Sequence, residues 1–299
     1  MKKWILLLPA LLSLASCKTS TEPLPQPQYD AQCIDLPGVT NARQLGGYPV
    51  GNKRIRQDVL IRTGALKNAS DEAVKALCDK YGLAMVADFR TSMERGKSPD
   101  RDVPGARNIW FPILEENTKG EDGAIMASLH LNTYNTSYTL ELLRQPKIQE
   151  SVRKSYETIV FDENHQRSYA AFLDSLVALP DGRAALWHCS HGKDRCGWGT
   201  AFVLAALGAD RNLIVADFLL SNIPYAEEID NLTSFANAEW LAEGLDEDIR
   251  LLRGVSGLYF EKVLDSIDTR YGSLDNFLEK ALSLTPEEKQ SLREKFLVE

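Results

Sequence analysis

Short unbroken apolar runs alternate along this chain with longer segments whose apolar residues fall three or four apart. Ala84 to Phe89 follows Gly82 and ends at the charged Arg90, and Arg183 to His188 follows the turn Pro180-Asp181-Gly182. Runs of this length, bounded by turn and charged residues, predict buried strands. Asp71 to Lys80 carries Val74, Leu77 and Cys78 at helical spacing, with Ser70 placed to cap its N-terminus. Tyr169 to Leu179 sets Phe172, Leu176 and Leu179 on one stripe, and Gly197 to Leu207 and Asn212 to Leu220 predict two further apolar helices. Two more are expected between Glu247 and Asp268. A last one is expected at Pro286 to Leu297, where Thr285 caps, Pro286 takes the first helical position, and Glu287 and Glu288 meet the positive end of the helix dipole. The rhythm breaks from about Glu115 to Arg167, a polar and then weakly amphipathic stretch that reads as a mostly helical insertion. Alternating strands and helices predict a helix-rich α/β domain.

Composition changes this picture little, since 299 residues with 44% hydrophobic and 25% charged content describe an ordinary globular chain. The formal net charge of -8 argues against general nucleic-acid binding, because phosphate backbones repel an acidic surface. The N-terminus does change it. Lys2 and Lys3 precede the apolar run Trp4 to Leu12, which is too short to span a bilayer, and Leu14-Ala15-Ser16-Cys17 resembles the lipobox of bacterial lipoproteins. The expectation is a signal peptide over residues 1–16, a lipid on Cys17, and a flexible tether over 17–30 rich in Pro, Ser, Thr and Gln. The domain proper is then 31–299, with the insertion at about 115–167, held by its lipid in the bacterial cell envelope on the periplasmic face or the cell surface. With Cys17 acylated, Cys33, Cys78, Cys189 and Cys196 remain, and their spacing does not form a disulfide framework.

The chemistry concentrates in Ala184-Ala-Leu-Trp-His-Cys-Ser-His-Gly-Lys-Asp-Arg-Cys-Gly197. A buried strand ends at His188 and Cys189, a tight loop turns at Gly192, and Arg195 opens an apolar helix. Backbone N–H groups of such a loop, with the positive end of the helix dipole, form a cradle for an anion. Glycine at 192 lets the backbone curl, and Arg195 offers a planar fork that matches phosphate oxygens. The same field lowers the pKa of Cys189, as cysteines in such settings fall from about 8.5 to ~3.5–7.5. Lys193 adds positive charge at the mouth of the loop. Two other readings of these residues are a buried core cysteine beside a solvated loop, and a zinc site on His188, Cys189, His191 and Cys196. Structural zinc sites pair such ligands with a distant second pair, which the sequence lacks.

His188-Cys-Ser-His-Gly-Lys-Asp-Arg195 resembles the signature loop of cysteine-dependent protein tyrosine phosphatases, and more narrowly the H-C-x-x-G-K-D-R loop of bacterial tyrosine and lipid phosphatases. Asn41 to Tyr48, Arg62-Thr63-Gly64, Asp88-Phe89-Arg90 with Glu94, Ala216 to Asn222 and Leu274 to Leu297 resemble further segments of that family. The resemblance implies a tyrosine-phosphatase-like fold, with a central, mostly parallel sheet flanked by helices. It implies Cys189 as nucleophile, Arg195 as phosphate clamp, and Ser190, His191, Gly192, Lys193 and Asp194 as the rest of the phosphate-binding loop. For the general acid it leaves Asp88, at a strand end, ahead of Asp194, within the loop. Arg43 and Arg62 are expected to support the loop or substrate, or to form structural ion pairs. No metal or organic cofactor is implied, since a thiolate needs none. The substrate is expected to be a phosphorylated protein or a phospholipid; Lys193 is similar to the additional cation with which lipid phosphatases meet further phosphates. A non-catalytic phosphate-binding module is disfavoured because Cys189 and Arg195 are both present. Where the family carries Thr or Ser after the loop arginine, this chain has Cys196, a weaker donor to the thiolate; two expectations stand for it, a reversible disulfide with Cys189 in an oxidising compartment, or a small buried helix residue.

Overall fold

The two apolar runs become adjacent parallel strands at the centre of a five-stranded sheet. A computed structural model describes residues 30–115, 141, 144–238 and 246–299 of the chain. The signal, Cys17, the tether up to residue 29, and Tyr134 and Tyr138 of the insertion lie outside the described residues. The strands are β1 (Arg43–Gln44), β2 (Pro49–Val50), β3 (Lys53–Ile55), β4 (Leu60–Thr63), β5 (Leu83–Asp88), β6 (Arg107–Trp110), β7 (Ala184–His188) and β8 (Leu297–Val298). The main sheet runs β1-β4-β7-β5-β6 with only β1 antiparallel, which is the mostly parallel sheet expected. Residues of β7 alternate between two cores, Ala184 and Leu186 in one, Ala185 and Trp187 in the other. Both faces of the sheet are therefore covered, and for that reason its inner strands read as unbroken apolar runs.

The helices are α1 (Asp71–Asp79), α2 (Ser92–Lys97), α3 (Pro146–Phe161), α4 (Glu163–Val177), α5 (Asp194–Leu207), α6 (Arg211–Leu219), α7 (Ala226–Ala238), α8 (Asp246–Arg253), α9 (Gly257–Tyr271), α10 (Leu274–Lys280) and α11 (Pro286–Phe296). Ser70 caps α1 by accepting from the Ala73 amide, and Thr285 and Glu288 form a reciprocal capping box on α11. Helix α5 starts at Asp194, three residues before the predicted Gly197, so Asp194 and Arg195 belong to its first turn. Apart from Asp194 and Ala205 it is buried throughout, as an all-round apolar helix must be. Gly197 allows this depth, since a Cβ there would stand 2.5 Å from the Phe218 ring. A second sheet, β2-β3-β8, joins Leu297–Val298 to residues 49–55 through short antiparallel strands that the pattern did not predict. Among the described residues, no helix is long and apolar enough to cross a membrane.

Candidate active site

Strands β5 and β7 end in register, Asp88 opposite His188, so the residues after them emerge together at one edge of the sheet. Cys189 follows directly, and the chain then turns through Ser190 to Lys193 into α5. Gly192 takes φ +67°, and a Cβ on it would stand 2.4 Å from the Thr63 carbonyl oxygen. Both the left-handed backbone and the close approach to β4 therefore exclude a side chain.

The loop's carbonyls are all engaged from outside. Ser190 O accepts from the Ala65 amide at 3.2 Å and His191 O from the Tyr225 hydroxyl at 2.6 Å. Gly192 O accepts from Asn41 Nδ2 at 2.9 Å and Arg62 Nη2 at 2.8 Å, and Lys193 O accepts from Arg62 Nη2 at 3.2 Å. In a trans peptide the N–H points opposite to its C=O. The amides of His191, Gly192, Lys193 and Asp194 are thereby turned inward, around Cys189. Arg43 and Arg62 are fully buried behind this loop; Arg62 pairs with Asp217 at 2.5 Å and Arg43 donates to the Asp217 carbonyl at 3.2 Å. They support the loop through ion pairing, which unites the two roles expected of them.

Cys189 is 2% exposed, and its pKa is lowered to about 5. Burial alone would raise it. The hydrogen bond from the Cys196 thiol, the positive charge of Arg195 and the Cys196 amide together win. The burden of holding the proton falls on Cys196, whose own pKa burial and the neighbouring thiolate push well up. Cys196 thus takes the place where a hydroxyl was expected to serve better, its Sγ also 3.8 Å from the Thr63 carbonyl oxygen and 3.9 Å from that of Trp187, and both cysteines are free thiols.

Arg195 is held in a bidentate pair by Glu94, Nη1 to Oε2 at 2.6 Å and Nη2 to Oε1 at 2.7 Å. Glu94 also accepts from the Ser190 hydroxyl at 2.5 Å and from the Thr91 amide at 2.8 Å. Burial works against its charge, but Arg195 holds its pKa well below the usual carboxylate range. Glu94 received no role from the sequence. The signal was present: Thr91-Ser-Met-Glu94 is a capping box, and the N3 glutamate of α2 necessarily sits in the first turn, beside the loop.

Asp88 does not face the cradle. It is 1% exposed and accepts from Arg90 Nε at 3.0 Å, Arg90 Nη2 at 2.9 Å and Arg95 Nε at 3.0 Å. Burial would raise its pKa, yet the Arg90 bonds and the nearby His188 lower it, so it is held as an anion with no proton to give. The expectation that placed it first as general acid followed its strand-end position, which the structure assigns to a buried ion cluster. Asp194 does reach the cavity above Cys189, which it lines together with Leu114, Tyr156, Ile159, Arg195 and Leu252. Its Oδ1 accepts from the Tyr156 hydroxyl at 3.0 Å. Lys193 also departs from expectation. Its ammonium passes the loop and donates to the carbonyls of Leu252 at 3.1 Å and Gly254 at 2.7 Å, closing the C-terminal end of α8. Trp110, the last residue of β6, donates to the Arg90 carbonyl at 2.8 Å and lies under Arg95.

The cavity's roof comes from α3, through Ser155, Tyr156 and Ile159, and from α8, through Leu251 and Leu252. Arg153 and Asp248 tie these helices together with bonds of 2.9 and 2.7 Å. The sequence model of the tyrosine phosphatase family matches residues 34–298. A protein of Cupriavidus necator named as a tyrosine-protein phosphatase is 32% identical over 255 residues, covering 82% of each chain. The triple specificity protein phosphatase PtpB of Mycobacterium tuberculosis is 27% identical over 278 residues, covering 83% of this chain and 93% of that one.

Proposed function

The chain belongs to the tyrosine phosphatase family and is a cysteine-dependent phosphatase that hydrolyses phosphate monoesters, and from that premise we propose how its own residues divide the work. The substrate phosphate sits on the inward amides of residues 191–194 and the Arg195 fork. The Cys189 thiolate attacks phosphorus in line, so that an S–P bond forms as the ester P–O bond breaks. Asp194 delivers a proton to the departing oxygen. Its carboxylate then takes a proton from the water that attacks the phosphocysteine, the S–P bond breaks, and inorganic phosphate leaves the restored thiolate. Assigning the acid to Asp194 rather than Asp88 rests on place: Asp194 lines the cavity, while Asp88 is committed to Arg90 and Arg95.

For the substrate we propose phosphotyrosine in proteins. The observation that carries this is the cavity wall of Leu114, Tyr156, Ile159, Leu251 and Leu252 over Cys189. Such a wall is apolar, as the face of an aromatic ring is, and burying about 150 Å² of a ring against it is worth roughly 2–4 kcal/mol. A phosphoinositide needs free cations for its additional phosphates, and Lys193, the cation expected for that role, is occupied by the end of α8. On a panel of phosphotyrosine peptides, phosphoserine peptides and phosphoinositide vesicles, kcat/KM is expected to be at least about tenfold higher for phosphotyrosine, the scale on which a buried ring discriminates. Equal or faster turnover of phosphoinositides overturns the assignment.

We also propose that the enzyme works outside the cytoplasm, tethered by lipid on Cys17, as the lipobox-like Leu14-Ala15-Ser16-Cys17 suggests. Mass spectrometry of protein purified from a bacterial membrane is expected to find an acylated N-terminal Cys17. An unmodified Cys17 or an uncut signal refutes the tether.

A further inference from the structure

We propose that Tyr156 is a positioning residue for the general acid, holding Asp194 so that its proton faces the leaving group. The inference rests on the reading of Asp194 as the acid. It starts from one contact, the Tyr156 hydroxyl donating to Asp194 Oδ1 at 3.0 Å.

A free aspartate in the first turn of a helix has competing partners, because the unpaired amides of its own helix attract its oxygens. Asp194 is the first residue of α5 and faces that competition. Tyr156 resolves it from outside the helix. The tyrosine is 3% exposed, and its ring meets Phe218 edge-to-face at 6.3 Å. Its helix α3 is clamped to α8 by Arg153 and Asp248. The hydroxyl is therefore a fixed point above the cradle, and Asp194 turns toward it.

The direction of this hydrogen bond determines what it does. A phenol O–H donating to Oδ1 favours the acid form in which Oδ1 is the carbonyl oxygen and the proton sits on Oδ2. As Oδ2 gives up its proton to the departing oxygen, charge spreads onto Oδ1, and the same hydrogen bond strengthens. Tyr156 thereby favours the transferred state over the starting one without touching substrate phosphate. Lys193, whose Nζ stands 3.4 Å from Oδ2, stabilises the carboxylate that remains once the proton has left.

The test exploits leaving groups. A general acid matters when the departing oxygen is strongly basic and hardly at all when it is a good leaving group. Phenyl phosphate and p-nitrophenyl phosphate are compared with wild type, Tyr156→Phe and Asp194→Asn. Tyr156→Phe is expected to lose about tenfold in kcat on phenyl phosphate, the scale of one hydrogen bond to a charged group, and less than about twofold on p-nitrophenyl phosphate. Asp194→Asn is expected to show the same contrast, more steeply. The inhibition constant of inorganic phosphate and the thermal melting point should stay near wild type in Tyr156→Phe, since one oxygen is removed and the ring remains. If Asp194→Asn shows no leaving-group contrast, the acid assignment fails and this inference with it. If Asp194→Asn shows the contrast but Tyr156→Phe loses equally on both esters, or on neither, the positioning role alone is overturned.

Discussion

Cys189→Ser abolishes turnover of p-nitrophenyl phosphate, by roughly 10⁴–10⁶-fold in kcat, the range over which removing a covalent catalytic group acts, while inorganic phosphate still binds. The size of the loss follows from the state of the sulfur. With a pKa of about 5, Cys189 is ionised at neutral pH before any substrate arrives. The alcohol that replaces it must lose its proton in the rate-limiting step, and Asp194, which in that step carries its own proton to the departing oxygen, is not free to take it. Binding survives because the cradle is made of backbone amides and Arg195, none of which depends on the sulfur. The pH dependence has a fixed sign. A depressed thiol pKa leaves the nucleophile ionised above about 5 and protonates it below, so on p-nitrophenyl phosphate, whose leaving group needs little help from an acid, the free enzyme loses activity on the acid side of that value. Thiolate absorbance of wild type minus Cys189→Ser should titrate with the same midpoint. Substantial residual turnover in the serine variant, abolished by EDTA, would point instead to a metal-dependent hydrolase.

The parts of this site that the sequence discloses are those that neighbouring residues create together. Strand, loop and helix follow one another without a break from Ala184 to Leu207, so the cradle, its glycine and its arginine are legible in the order of residues. The parts it conceals are held from a distance. Glu94 lies 101 positions from the arginine it orients, and Tyr156 lies 38 from the aspartate it meets. Asp88 misleads for a related reason. A carboxylate at a strand end looks available until Arg90, two residues on, and Arg95, on α2, fold back onto it. Lys193 sits at the expected place in the chain, but its long stem carries the charge to α8, where three unsatisfied carbonyls outcompete solvent. The β2-β3-β8 sheet escapes prediction because strands of two or three residues carry no period to read.

That behaviour of Lys193 sets the expectation for Arg195→Lys, a loss of about 10²–10³-fold in kcat/KM, comparable to removing a transition-state donor from an oxyanion hole. An ammonium in place of the guanidinium keeps the charge but loses the planar fork that spans two phosphate oxygens. It also loses the geometry of its partner. Glu94 grips two nitrogens of Arg195 at once, 2.6 and 2.7 Å away, and an ammonium, donating from a single atom, cannot reproduce that side-by-side pairing while also spanning two phosphate oxygens. The ion pair is buried, so misplacing one member leaves the other charged and poorly solvated. Glu94→Gln should therefore lose activity in the same direction but less, because the amide oxygen still receives one of the two bonds. The discriminating measurement is inhibition by vanadate against inhibition by phosphate. Charge spreads over the equatorial oxygens only in the five-coordinate geometry that vanadate adopts, so Arg195→Lys should weaken vanadate at least about tenfold more than phosphate. If both anions weaken equally, Arg195 serves ground-state binding alone, and transition-state stabilisation must be sought in the amides of residues 191–194.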